Sequence, residues 1–428
     1  MSLIIKKAKK LIGRVRVPGD KSVSHRAVMF GGIAKGITEV ENFLTGEDCL
    51  STVRCFKAMG VEVEETGPTS LRVLGKGLMG LEEPGEVLDV GNSGTTMRLM
   101  LGILAGQPFF AALTGDDSIR RRPMGRVTEP LRQMGAEIWG RQQGKFAPLA
   151  IRGGNLRAME YNSPVASAQV KSALLLAGLY AHGVTVVEEP EKSRDHTERM
   201  LRYLGARVDV DGNRVSIHGK PELTGKKITV PGDISSAAFF LVAGSIIPDS
   251  EIILENVGVN PTRDGIIEVL QNMGADLQLV NLREVNCEPV ADIIVRSSSL
   301  RGTEIGGALI PRLIDEIPVL AVAAAMATGE TVIKDAEELK VKESNRIATV
   351  VKELSKFGVA IEELPDGMRI KGGKTLTGAV CESYHDHRIA MAMAVAGLSA
   401  QGETEIKDPQ CIDISFPGFA ETLASLQK

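Results

Sequence analysis

Aromatic residues are scarce in this chain: one tryptophan, four tyrosines and eleven phenylalanines among 428 residues. Trp139 and a handful of tyrosines give no row of rings on which nucleic-acid bases would stack, so no nucleic-acid partner is expected. Excess charge of one sign is also missing. Fifty lysines and arginines against 54 aspartates and glutamates leave a net charge of −4, with no overall pull on polyanions or acidic membranes. Any anion site must therefore be local. Long apolar runs are absent too: IPVLAVAAAMA is too short to cross a bilayer. The leading MSLIIKKAKK lacks the apolar core and small-residue cleavage site of a secretory signal, which makes the cytoplasm the expected location. Cys49, Cys55, Cys287, Cys381 and Cys411 are odd in number and form no CxxC pair, so free thiols are expected. His385 and His387 stand close together, but no cysteine or histidine cluster completes a metal shell, and no metal is expected. GKGLMG at Gly75–Gly80 satisfies a dinucleotide-loop spacing, yet LEEPGEVLDV follows where a helix is needed, which excludes that cofactor.

What the chain does contain is repetition. At this length two domains are the natural division, each with ample core. One phrase, a helix end followed by a strand, recurs as FKAMGVEVE, LRQMGAEIW, LRYLGARVD, LQNMGADLQL and LSKFGVAIEEL, with Gly60, Gly135, Gly205, Gly274 and Gly358 placed as helix C-caps. A second phrase is an apolar helix with a polar start, in six copies spaced roughly 70 residues apart: SVSHRAVMFGGIA, NSGTTMRLMLGILAG, SAQVKSALLLAGL, ISSAAFFLVAGSI, LIDEIPVLAVAAAMATG and DHRIAMAMAVAGL. Apolar nearly all round, these helices should be buried and wrapped by sheets. β-Branched runs such as RVRV, GITEV and TVVEE lie between them, so the fold class is α/β with six repeated strand-helix units, three per domain. VRVPGDKS at Val15–Ser22 returns as ITVPGDISS at Ile228–Ser236, a turn after a strand near the start of each half. The expected domains are therefore residues 1–17 with 230–428, and residues 18–229.

Helix starts expose unsatisfied N–H groups and the positive end of the helix dipole, and so bind phosphate or carboxylate. Lys21, Ser22 and Arg26 occupy the first start, Gly94, Thr95 and Arg98 the second, and Ser167, Gln169 and Lys171 the third. Asp315 and Glu316 open the fifth, and Asp386, His387 and Arg388 the sixth. Pointing these ends at one shared cleft between the domains explains the pattern. Two further segments add charge. Residues 117–146 are expected to form a cationic loop bearing Arg120, Arg121, Arg122 and Arg126, with Pro123 fixing its turn. ELKVKESNR places Lys342, Glu343 and Arg346 at helical spacing, with Lys342 and Arg346 on one face. Charge runs of this kind are ordinarily solvated faces; their residue order argues otherwise.

VPGDKSVSHRA, GNSGTTMR, RRRPMGR, SAQVKSA, RDHTE, PRLIDEIP, ELKVKESNR and DHRIAMA, in this order and over essentially the whole chain, resemble the 5-enolpyruvylshikimate-3-phosphate synthase family. SAQVK, RPMGR and RDHTE together are similar to its divergent bacterial branch. Ala168 stands where the other branch has a second serine, and Gln410 where it has a lysine. The resemblance implies a two-domain inverse α/β barrel with buried helices and outer sheets. It also implies transfer of the enolpyruvyl group of phosphoenolpyruvate to the 5-hydroxyl of shikimate 3-phosphate, on the route to aromatic amino acids, by a monomer without cofactor.

By the same resemblance Asp315 is the base at the 5-hydroxyl, Glu343 handles the proton at the methylene carbon, and Lys21 shares proton transfer. Ser22, Arg26, Ser167, Gln169, Arg194 and Lys342 hold shikimate 3-phosphate, together with Lys21 and Asp315. Lys21, Gly94, Arg122, Gln169, Arg346 and Arg388 hold phosphoenolpyruvate. Gly94 lets the backbone approach the donor closely. Cationic motifs in both halves imply domains that close on substrate. Two alternatives stay open. UDP-N-acetylglucosamine enolpyruvyltransferases resemble this family in repeat architecture and donor, but carry a cysteine before their RP motif, where TGDDSIRRRP has none. A non-catalytic phosphometabolite-binding protein would use the same basic helix starts without Asp315 and Glu343.

Overall fold

The computed structural model describes residues 2–428. It divides into two compact units: Gly19–Val230 with Val285–Glu288, and the segment ending at Pro18 with Pro231–Glu284 and Pro289–Lys428.

The Gly19–Val230 unit repeats one construction three times. A short strand leads into a buried helix, a second strand returns parallel to the first, an outer helix follows, and two antiparallel strands complete a four-stranded sheet. In the middle copy Leu88–Asp89 precedes helix α2 (Gly94–Leu104), and Phe110–Thr114 pairs parallel with it, Leu88 opposite Leu113. Helix Gly125–Met134 then leads to strands Glu137–Gly140 and Phe146–Arg152. Helix α3 (Ala168–Gly178) occupies the same place in the next copy, and α1 (Lys21–Ile33) in the first. The first copy takes its opening strand from the far end of the segment: Ile228–Thr229 lies parallel to Lys35–Glu41, Ile228 opposite Val40.

The other unit uses the same construction around α4 (Ile234–Ile246), α5 (Ile317–Met326) and α6 (His387–Ser399). Its first sheet is opened by Ile12–Val15, parallel to Glu251–Gly258 with Ile12 opposite Glu251. The two VPGD segments therefore each follow a strand that belongs to one unit and lead into a helix that belongs to the other. The sheet beside α6 has three strands. Ser2–Lys6 runs antiparallel to Glu403–Lys407 and takes the place beside it that the second hairpin strand fills elsewhere.

The six buried helices are closed to solvent over most of their length; α4 is buried from Ile234 to Ser245 and α5 from Ile317 to Ala325. Within each unit they pack on one another, α2 against α3 and α5 against α4 and α6. Small residues make this possible. A Cβ on Gly102 would lie 2.2 Å from the Ala173 carbonyl oxygen, so only glycine lets α2 and α3 approach as they do. The five repeated glycines all end outer helices with positive φ, from 80° at Gly60 to 114° at Gly135.

Two expectations are corrected. Residues 117–146 are not one loop: a 3₁₀ turn at Ile119–Arg121, the helix Gly125–Met134 and the strand Glu137–Gly140 occupy much of the span. Lys342 and Glu343 do not lie on a helix, because a 3₁₀ turn ends at Val341 and the next helix begins only at Arg346, capped by Asn345 accepting from the Ala348 N–H. The (i, i+4) spacing of Lys342 and Arg346 thus comes from a loop feeding a helix. The GKGLMG segment has its first glycine in the strand Ser70–Lys76 and no helix directly after it.

Candidate active site

In the Gly19–Val230 unit the predicted residues gather at the starts of the buried helices. Asp20 caps α1 by accepting from the Val23 N–H at 2.9 Å, and Ser93 caps α2 by accepting from Thr96 at 3.1 Å. These caps leave Lys21 and Gly94 as the first helical residues. Lys21 Nζ lies 2.9 Å from Asp48 Oδ2. The guanidinium of Arg98 donates to Gln169 Oε1 and to the Pro123 carbonyl at 3.2 Å, while Gln169 Nε2 donates to Thr95 Oγ1 at 3.0 Å. Arg122 donates to Asn92 Oδ1 at 2.8 Å and Ser118 Oγ at 3.3 Å. Between these arginines a Cβ on Gly94 would stand 3.0 Å from Arg98 Nη1 and 3.2 Å from Arg122 Nη1. Any side chain there would press on both guanidinium groups.

Arg26 is more enclosed than a surface anion-binder. Only 3% exposed, it donates to Thr197 Oγ1 (2.8 Å), the Ser22 carbonyl (2.9 Å) and Ser172 Oγ (2.9 Å). Burial pulls its pKa down to about 10; Glu198 and Asp20 oppose that fall and the neighbouring charge of Arg194 adds to it. Arg26 therefore joins Ser22 at the start of α1 to Thr197, in the helix that follows Arg194. Ser167 stands at the N-cap of α3 without a side-chain cap bond, its N–H taken by Glu189 Oε1 at 2.9 Å. Lys171, grouped by sequence with Ser167 and Gln169, is instead buried between Glu189 and Glu198.

The other unit brings Asp315, Lys342, Glu343, Arg346 and Arg388 together. Arg346 is the hub, with 1% of its side chain exposed. It donates to both oxygens of Asp386 (2.9 and 3.2 Å), to Glu343 Oε2 (2.6 Å) and to Asp315 Oδ1 (3.3 Å). Burial works against the Arg346 charge, but Asp386, Glu343 and Asp315 outweigh it and hold the pKa above the usual arginine range. Lys342 Nζ approaches Asp315 Oδ1 at 3.5 Å, and Arg388 Nη1 donates to the Asp315 carbonyl at 3.1 Å. Asp386 itself caps α6 through the Arg388 N–H at 3.0 Å. One fully buried aspartate thus fixes both the helix start and the guanidinium that spans Asp315 and Glu343.

Nothing in the sequence singles out Asp48, Asn92 or Thr197 for the site, and Asp386 reads only as part of a helix start. Each holds a predicted residue in place. Asp48 has a local signal, since it sits in the acidic first turn of the helix Glu47–Ala58. Its meeting with Lys21 is tertiary and has none. Cys49, Cys55, Cys287, Cys381 and Cys411 are all free thiols. No helix among the described residues is long and apolar enough to cross a membrane.

Comparison with known proteins bears on the chain as a whole. The family model described as EPSP synthase (3-phosphoshikimate 1-carboxyvinyltransferase) matches residues 5–423. A 3-phosphoshikimate 1-carboxyvinyltransferase of Pelotomaculum thermopropionicum is 62% identical over 427 residues, covering 100% of this chain and 99% of the relative. One from Bacillus cytotoxicus is 60% identical over 422 residues, covering 99% of each. Among solved structures, EPSP synthase from Acinetobacter baumannii superposes with a TM-score of 0.89 at 46% identity, covering 100% of this chain and 98% of the other. A match along the whole chain, carrying the same α/β architecture, places this protein in the EPSP synthase family.

Proposed function

We propose that this enzyme transfers the enolpyruvyl group of phosphoenolpyruvate to the 5-hydroxyl of shikimate 3-phosphate and releases phosphate, a step in aromatic amino acid biosynthesis. The observation that carries the reading beyond family membership is the placing of two carboxylates, Asp315 and Glu343, on one buried guanidinium, Arg346. A site meant only to bind anionic metabolites gains nothing from carboxylates among its cations. A site that must move protons needs them.

The donor's enol ether is activated when its methylene carbon takes a proton from Glu343, leaving a cationic centre at the adjacent carbon. The 5-hydroxyl oxygen bonds to that centre while Asp315 takes the hydroxyl proton, with Lys21 sharing proton transfer. The resulting tetrahedral intermediate returns a methyl proton to Glu343, its carbon–oxygen bond to phosphate breaks as the departing phosphate takes the proton held by Asp315 and Lys21, and the vinyl ether forms. Arg346 touches both carboxylates, so it steadies each while the proton inventory changes. Arg122, Arg346, Arg388, Gln169 and Lys21 would hold phosphoenolpyruvate beside the Gly94 backbone. Ser22, Arg26, Ser167, Gln169, Arg194 and Lys342, with Lys21 and Asp315, would hold shikimate 3-phosphate. Guanidinium forks suit both the carboxylates and the phosphates of these substrates.

Both sets of residues, in one chain, would serve each turnover, and the enzyme would act as a cytoplasmic monomer without metal or organic cofactor. Incubating the purified protein with both substrates and following inorganic phosphate tests the assignment. Release that requires both is expected. Release with UDP-N-acetylglucosamine in place of shikimate 3-phosphate, or none with either, would overturn it.

A further inference from the structure

The Lys171 side chain is 1% exposed; its Nζ lies 2.9 Å from Glu189 Oε2, 2.9 Å from Glu198 Oε1 and 3.3 Å from the Ser193 carbonyl. Burial works against its charge, but Glu198 and Glu189 raise its pKa overall. Glu198 also acts on the charge of Arg26, so charge balance around Lys171 does not by itself single out Glu189. Glu189 itself is 3% exposed. Its two oxygens face different segments. Oε1 accepts the Ser167 N–H at 2.9 Å; Oε2 accepts the Ser193 N–H at 3.3 Å and hydroxyl at 2.8 Å, besides Lys171. Ser167 begins α3 and Ser193 immediately precedes Arg194. The Ser167 hydroxyl makes no cap bond with its own helix, so the residue is held by its backbone rather than by its side chain.

We propose that Glu189 is a positioning residue for the shikimate 3-phosphate side of the site, clamping Ser167 and the Ser193–Arg194 turn into one rigid cradle, with Lys171 anchoring the clamp. The proposal rests on the assignment of Ser167 and Arg194 to that substrate. Its chemical core is that only a carboxylate accepts hydrogen bonds at both ends. Glutamine fills the same volume but presents an NH₂ group to one side, so either Ser167 or the Ser193–Lys171 side loses its acceptor. The same amide would leave Lys171 with one carboxylate partner instead of two.

Steady-state kinetics of Glu189→Gln, with each substrate varied in turn, tests the role. The KM for shikimate 3-phosphate should rise about tenfold or more, as expected for losing a charge-assisted bond, while the KM for phosphoenolpyruvate and kcat each change less than about threefold. Lys171→Arg, which keeps the charge, should sit closer to the unmodified enzyme than Lys171→Met. If Glu189→Gln does not fold, Ser193→Ala removes one partner without touching charge and should raise the KM for shikimate 3-phosphate alone. Equal changes in both KM values, or a lowered melting temperature with unchanged kinetics, would overturn the positioning role. Failure of the unmodified enzyme to turn over shikimate 3-phosphate would instead remove the functional assignment beneath it.

Discussion

At Asp315, a carboxylate lies 3.3 Å from one guanidinium and 3.5 Å from one ammonium. Replacing it by asparagine keeps the volume and removes the base, so Asp315→Asn should lower kcat by about 10²–10⁴-fold in the phosphate-release assay. Arg122 is a different case, a cation steadied by Asn92 and Ser118 beside Gly94. Arg122→Ala should cost about 2–4 kcal/mol in kcat/KM; near-normal values in either variant would remove its assigned role. His25 has a consequence for stability. Burial lowers its pKa to about 3, so the folded state keeps it neutral while the unfolded chain protonates below about 6.5. The unfolded form binds the extra proton, so this stability is present above pH 6.5 and is lost as pH falls toward 3, at about 1.4 kcal/mol per unit. Denaturant titrations between pH 6 and 4.5 should show a shallower pH slope for His25→Gln than for the unmodified protein. At this scale residue identity was legible in the motifs and environment was not. Lys171 reads like Lys21, but only tertiary structure distinguishes the lysine placed between two buried glutamates.

Among elements, the six buried helices and the glycine-ended outer helices are written openly in the sequence, because an all-apolar helix and a left-handed C-cap have strong local signatures. The charged loops are less legible. Helical spacing between Lys342 and Arg346 is compatible with a loop followed by a helix start, and the Asn345 cap decides where the helix begins. The strand partners of the two VPGD segments are illegible for another reason: Ile12–Val15 and Ile228–Thr229 are short, and their pairing is set by packing far along the chain. Close helix contact also depends on particular small residues. Gly102→Ala would drive a methyl group to 2.2 Å from the Ala173 carbonyl, and α2 and α3 would have to separate. An expected loss of about 1–3 kcal/mol should appear as a lower denaturation midpoint; an unchanged midpoint would mean the helices part without cost.

For the whole molecule, the proposed reaction uses residues of a single chain in every turnover. Mixing purified Asp315→Asn with purified Arg122→Ala should restore no activity, since each chain carries its own defect into every turnover. Recovery toward a quarter of the normal rate would reveal sites shared between chains. The proposed reaction is enolpyruvyl transfer through protonation of the donor's methylene carbon, addition, and loss of phosphate. Running the reaction in deuterium oxide with both substrates and examining the vinyl ether by mass spectrometry tests it most directly. Deuterium at the methylene carbon is predicted, because the intermediate's methyl group carries one solvent-derived hydrogen before a proton is returned. Phosphate release with a vinyl ether free of deuterium would contradict the account.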